Sequence, residues 1–169
     1  MKIIFLDIDG VLNSRQYDAD SGTTGGNIDV SRLLLLKQLV DQTGAKIVLT
    51  SSWRRHWDSD GECTDDIGKE LETTFGRFKM NLYDKTPELN NDRAKEISKW
   101  LAMNRDVDAF VIIDDIKFGW YELAPFVVNT DYYIGKGLEQ RHIEKAIKLL
   151  LKQNDACDCA VIMLLFVDF

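Results

Sequence analysis

Residues 2–10 read KIIFLDIDG. The run KIIFL is apolar without interruption and closes on acid, the pattern of a strand buried on both faces rather than one. Two further stretches repeat it. AKIVLT (45–50) ends in hydroxyl residues, and AFVIID (109–114) ends in acid again. PFVVNT (125–130) reads as a fourth strand and RFKMNLY (77–83) as a shorter, weaker one. Helical patterns lie between them. Leu33, Leu36, Leu39 and Val40 recur at helical spacing after a cap at Asp29 or Ser31, and Gly44 stops that helix. A second helix is expected near 66–76. Asn91 or Asp92 caps a third, with Ile97, Trp100 and Leu101 as its inner stripe, and a last one follows Gly137.

Strands alternating with helices predict a single Rossmann-like α/β domain, a central parallel sheet with helices on both faces. Residues 13–30 are polar and glycine-rich and read as a loop or flap. The core is expected over residues 1–155. The segment 156–169, with the apolar run Ala160–Val167, is expected to add a strand or helix or to serve as an oligomer contact.

Composition narrows the function. The 169 residues, with 2 prolines and 11 glycines, suit one folded domain. A net charge of −7 disfavours nonspecific binding to duplex nucleic acid or anionic membrane. Three cysteines do not make a disulfide framework, and the apolar run at the N-terminus is too short for a signal peptide, so a cytoplasmic protein is expected. Only two histidines are present, His56 and His142, which excludes a three-histidine metal site.

In open parallel sheets, ligands bind beyond the carboxyl ends of the strands. Here those ends offer Asp7 and Asp9, Thr50 and Ser51, and Asp114 and Asp115, with Arg93 opening a capped helix at the same edge. Asp7 and Asp9 are two apart and in extended backbone face one side. Gly10 then permits a sharp turn. Carboxylates so concentrated repel one another unless protonated or neutralised, and hard oxygen donors without nearby histidine or cysteine favour Mg²⁺. The Ser51 hydroxyl, backbone N–H groups and Arg93 are suited to phosphoryl oxygens. Together these groups describe phosphoryl transfer through a carboxylate nucleophile.

FLDIDGVLN (5–13), IVLTSSWR (47–54), RAKEI (93–97) and VIIDD (111–115) resemble, in order and spacing, the four motifs of the haloacid dehalogenase (HAD)-type phosphohydrolase superfamily. The resemblance spans about residues 2–150. TSSWR, DRAKEISKWL, VIIDD and GKGL most resemble the subgroup linked to Swiss Army Knife RNA repair proteins. It implies Asp7 as nucleophile and Mg²⁺ ligand, and Asp9 as general acid and base whose backbone carbonyl joins the metal shell. It also implies Ser51, or alternatively Thr50, as phosphate binder, and Asp114 on the metal with Asp115 in support. Most members carry lysine at the third motif. Here Arg93 is best placed, with Lys85 and Lys95 as competitors.

Residues 11–30 and 53–90 are too short and too polar for a large cap domain, and the subgroup's open sites suit bulky substrates such as nucleotide or single-stranded nucleic-acid phosphate ends. A small-metabolite phosphatase and a non-catalytic phosphate-binding or protein-interaction module are the alternatives. The stretch Trp53-Arg54-Arg55-His56-Trp57 interleaves aromatics and bases beside the site, which makes Arg54 a candidate substrate contact. Trp100 and Trp120 read as core.

Overall fold

The apolar runs become neighbouring strands of one parallel sheet. The computed structural model of the chain describes residues 1–22, 27–58, 63 and 65–152. In chain order the elements are β1 (Lys2–Leu6), α1 (Arg15–Ser21), α2 (Val30–Thr43), β2 (Lys46–Leu49), α3 (Asp66–Arg77), β3 (Leu82–Lys85), α4 (Arg93–Met103), β4 (Ala109–Asp114), β5 (Val127–Asn129) and α5 (Gln140–Lys152). Short 3₁₀ turns cover Ser52–Arg55 and Tyr121–Phe126. The five strands lie in the order β3-β2-β1-β4-β5, all parallel. No cap domain is evident among the described residues.

Alternation along each strand sorts the core into two layers. Ile4 and Leu6 join Val111 and Ile113 against Leu33, Leu36 and Leu39 of α2, Leu71 and Phe75 of α3, and Ile143 and Ala146 of α5. Ile3 and Phe5 join Phe110 and Ile112 on the other face, against Ile97, Trp100 and Leu101 of α4. The Phe5 ring meets Trp100 edge-on at 5.4 Å. Trp100 and Trp120 are both buried. The uninterrupted apolar runs are thus strands covered on both sides.

Caps fix the helix starts. Asp29 accepts from the Ser31 N–H, Asp65 from Ile67 and Gly68, and Asp92 from Lys95. Two expectations need correction. The stretch expected as a loop over 13–30 contains α1, capped by Ser14 and ended by Gly22. The strand expected over 77–83 begins only at Leu82, because α3 runs through Arg77 and the chain then turns at Lys79, whose φ is +55°. The apolar segment 156–169 lies outside the described residues.

Strand order decides where a ligand site can form. The chain steps from β1 to β2 to β3, then crosses to β4 on the opposite flank of β1. The reversal leaves a crevice beyond the carboxyl ends of β1 and β4.

Candidate active site

Register carries the acidic residues into that crevice. Leu6 pairs with both Leu49 and Ile113, so the next residues, Asp7, Thr50 and Asp114, emerge side by side. Backbone bonds extend the alignment: Asp7 N–H donates to the Ile113 carbonyl (3.0 Å) and Thr50 N–H to that of Leu6 (2.9 Å). Asp7, Asp114 and Asp115 each present a carboxylate oxygen, all within 4.8 Å of one another. Gly10 makes room for this. Its φ is +76°, and a Cβ there would lie 2.6 Å from the Asp115 carboxyl carbon.

Arg93, the first residue of α4, is the cation of the cluster. Its guanidinium lies 2.6 Å from Asp114 and 3.3 Å from Asp7. It also donates to the Thr50 hydroxyl at 3.4 Å. The other two basic candidates are engaged elsewhere. Lys85 donates to the carbonyls of Arg54 (3.2 Å) and Trp57 (2.6 Å), and the exposed Lys95 pairs with Asp92.

Burial and crowding raise all three carboxyls. Desolvation pushes the Asp7 pKa up, opposed chiefly by Arg93. Desolvation and then the Asp7 charge push Asp114 up to about 7. The same two causes, in the same order, raise Asp115. Burial works against the Arg93 charge, but Asp7 and Asp114 outweigh it and hold its pKa above the ordinary value. The group therefore gains from any further positive charge. Its donor set fits a hard divalent cation: three carboxylates, no sulfur and no imidazole. Around magnesium, oxygen ligands stand about 3–4 Å apart, as bond lengths of about 2.0–2.1 Å require. The three acidic oxygens lie within 4.8 Å of one another, so they would draw together around such an ion.

Asp9 departs from the expected geometry. Extended backbone ends at Leu6, and a turn closed by Leu12 N–H on the Ile8 carbonyl (2.8 Å) carries Asp9 away from the three acids. Its carboxylate accepts from Asn13 Nδ2 at 2.8 Å and from Trp53 Nε1 at 3.0 Å. The Asp9 carboxylate is not in the group of three acids, and the role expected of Asp9 at a metal is that of its backbone carbonyl.

Ser51 is buried and caps the 3₁₀ turn, its Oγ accepting from Trp53 N–H at 3.4 Å, and its hydroxyl is among the groups that oppose the rise of the Asp7 pKa. Arg54, expected as a substrate contact, is instead an internal residue with 4% exposure. It pairs with the fully buried Glu96 at 2.9 Å and donates to the carbonyls of Thr50 and Ser51. The turn over Ser52–Arg55 rotates it inward beneath the strand end. Sequence reasoning missed Glu96, Asn13 and the role of the Trp53 N–H. A signal existed for Glu96: it lies four residues before Trp100, on the apolar side of α4.

Residues 3–143 match the family described as the HAD domain in Swiss Army Knife RNA repair proteins. The chain belongs to that family. It is a HAD-type phosphohydrolase domain, and its buried acidic group can hold the metal ion that such domains generally use. No curated protein matches this HAD domain. Among its described residues, no helix is long and apolar enough to cross a membrane.

Proposed function

We propose that the chain is a Mg²⁺-dependent phosphomonoesterase that works through an aspartyl-phosphate and acts on nucleotide or nucleic-acid phosphate ends. One observation carries this reading: Asp7, Asp114 and Asp115 converge with Arg93 at the switch point of the sheet. Asp7, Asp114, Asp115 and the Asp9 carbonyl would hold Mg²⁺, which when bound neutralises the carboxylates and the phosphoryl charge.

An Asp7 carboxylate oxygen attacks phosphorus and forms the acyl-phosphate bond as the ester P–O bond breaks. Asp9 gives its proton to the leaving oxygen. Asp9 then takes a proton from water as that water attacks phosphorus, and the bond to Asp7 breaks to release inorganic phosphate. Ser51 and Arg93 hold phosphoryl oxygens throughout, with Thr50 next to them. Arg54 positions the Thr50–Ser51 turn from below. The family's description supports a nucleic-acid substrate, and the absence of a cap among the described residues favours a bulky one.

The test is phosphate release from p-nitrophenyl phosphate, mononucleotides and oligonucleotides bearing 3′- or 5′-phosphates, with Mg²⁺ or with chelator. Release is expected only with Mg²⁺, fastest from a nucleotide or oligonucleotide, and lost in Asp7→Asn. Turnover in chelator, or turnover by Asp7→Asn at the wild-type rate, would refute the mechanism. A preference for small non-nucleotide esters would refute the substrate class.

A further inference from the structure

The loop that leaves Asp114 continues into a surface that the catalytic steps do not use. Ile116, Phe118 and Tyr121 from this loop and Asn91, Asp92 and Arg93 from the start of α4 line a cavity of about 320 Å³. Arg93 is shared. The residue whose guanidinium pairs with Asp7 and Asp114 also borders this cavity, so the two sites adjoin.

The loop wall is held from behind. Ile116 N–H donates to Asp114 Oδ1 at 2.9 Å. The Ile116 carbonyl accepts from Trp120 Nε1 at 2.8 Å and also from Asn129 Nδ2. Trp120, which lines the cavity too, is buried. On this anchored backbone Phe118 is 83% exposed and Tyr121 is 73% exposed. Each ring leaves apolar area in water whose burial against a ligand is favourable. The loop also holds a strained residue: Tyr121 has φ of +47°, in the left-handed region that a bulky non-glycine residue rarely adopts. Such a conformation persists where the surroundings fix it.

We infer that this cavity is a nucleobase subsite, which takes the base of the nucleotide whose phosphate is held at Arg93 and Asp7. The inference rests on the phosphatase reading above and names the part of the substrate which that reading leaves unplaced. A base and its own phosphate are separated by one sugar, so a base site must adjoin the phosphate site, and Arg93 borders both. Phe118 and Tyr121 supply ring faces for stacking, an interaction every base offers and which therefore tolerates sequence. Asn91 adds an amide able to meet the polar edge of a base.

The test is equilibrium binding by calorimetry in an Asp7→Asn background with Mg²⁺, where no turnover intervenes. The ligands are adenosine 3′- and 5′-monophosphate and ribose 5-phosphate. At least one nucleotide is expected to bind 10-fold or more tighter than ribose 5-phosphate. Phe118→Ala and Tyr121→Ala should each weaken that nucleotide by about 5- to 100-fold, the worth of one base–aromatic stack, and leave ribose 5-phosphate unchanged. Both rings are exposed, so unfolding midpoints should hold. Equal affinity for nucleotide and sugar phosphate, equal loss for both in the variants, or no binding of either would overturn the inference. Failure of the phosphatase reading would appear separately, as no phosphate release by the wild-type protein from any ester.

Discussion

Asp9 shows how much one carboxylate depends on its neighbours. A residue that gives a proton and then takes one must hold a fixed direction through both steps, and free rotation of its side chain would spoil the second as readily as the first. Here each Asp9 oxygen has its own donor, Asn13 on one and the Trp53 indole on the other. Asn13 is itself fixed, since its Oδ1 accepts from the Gly10 N–H at 2.8 Å. In the proposed mechanism Trp53 is therefore a positioning residue, and Trp53→Phe should retain its packing while losing the bond. For an alkyl or nucleotide phosphate, whose leaving oxygen needs a proton, kcat/KM should drop about 10- to 100-fold, part of the range general acid catalysis supplies. For p-nitrophenyl phosphate, whose leaving group departs unprotonated, the drop should be several-fold smaller. Equal losses on the two substrates would mean that the indole acts on folding or binding rather than on Asp9.

The turn after β2 and the start of α4 are joined by the buried pair Arg54–Glu96. Glu96 Oε1 accepts from Arg54 and from the Leu89 N–H (2.9 Å), while Arg54 reaches the carbonyls of Thr50 and Ser51. Removing one partner strands a charge that is 0% or 4% exposed. Arg54→Met should therefore destabilise by about 3–5 kcal/mol in urea unfolding, and the double variant with Glu96→Met should regain much of the loss. A double variant no better than the single one would show that the two residues act independently. This pair also marks the limit of what was legible in sequence. β4 could be read to the residue because five consecutive buried apolar positions, Ala109–Ile113, run up to the terminal acid Asp114. β3 is only half-buried, so its pattern announced a strand over 77–83 but not that it begins at Leu82. The seven residues of α1 carry no apolar stripe. That helix is held by tertiary bonds instead, Tyr132 Oη to Asp18 at 2.8 Å and Arg15 N–H to the Tyr132 carbonyl at 3.1 Å. Arg54 sits in a basic, aromatic stretch that resembles a binding surface. Only the turn geometry reveals that it faces inward. The acids and Arg93 could be found because strand ends and a helix cap fix their positions, whereas the orientation of Asp9 depends on Trp53, 44 residues away.

At the scale of the whole molecule, the acidic crevice ties stability to pH and to metal. Asp114 has its pKa raised from 3.8 to about 7, and Asp7 and Asp115 are shifted in the same direction. Between about pH 4 and 7 the folded protein keeps the Asp114 proton that the unfolded chain has released. Stability from Asp114 is therefore present below pH 4 and is lost as pH rises through 7, a difference on the order of a few kcal/mol, and Asp7 and Asp115 contribute with the same sign. Carboxyls held below their ordinary values have the opposite sign. Asp131, bonded by the Ile134 N–H and by Lys117 and lowered to about 2, contributes stability that is lost only as pH falls below 4. His142 does overlap the window. Burial lowers its pKa, so its contribution falls away as pH drops through the ordinary histidine range. The difference between wild type and Asp114→Asn removes that common term. In chelator, the unfolding free energy of wild type relative to Asp114→Asn should fall steadily from pH 5 to pH 8. Mg²⁺ should then restore wild type more at pH 8 than at pH 5, by about 2.7 kcal/mol at a hundredfold excess over Kd, and should leave Asp114→Asn nearly unmoved. A relative stability that is flat or rising with pH in chelator would show that the three acids are not raised together. A Mg²⁺ effect as large in Asp114→Asn as in wild type would place the ion outside the crevice.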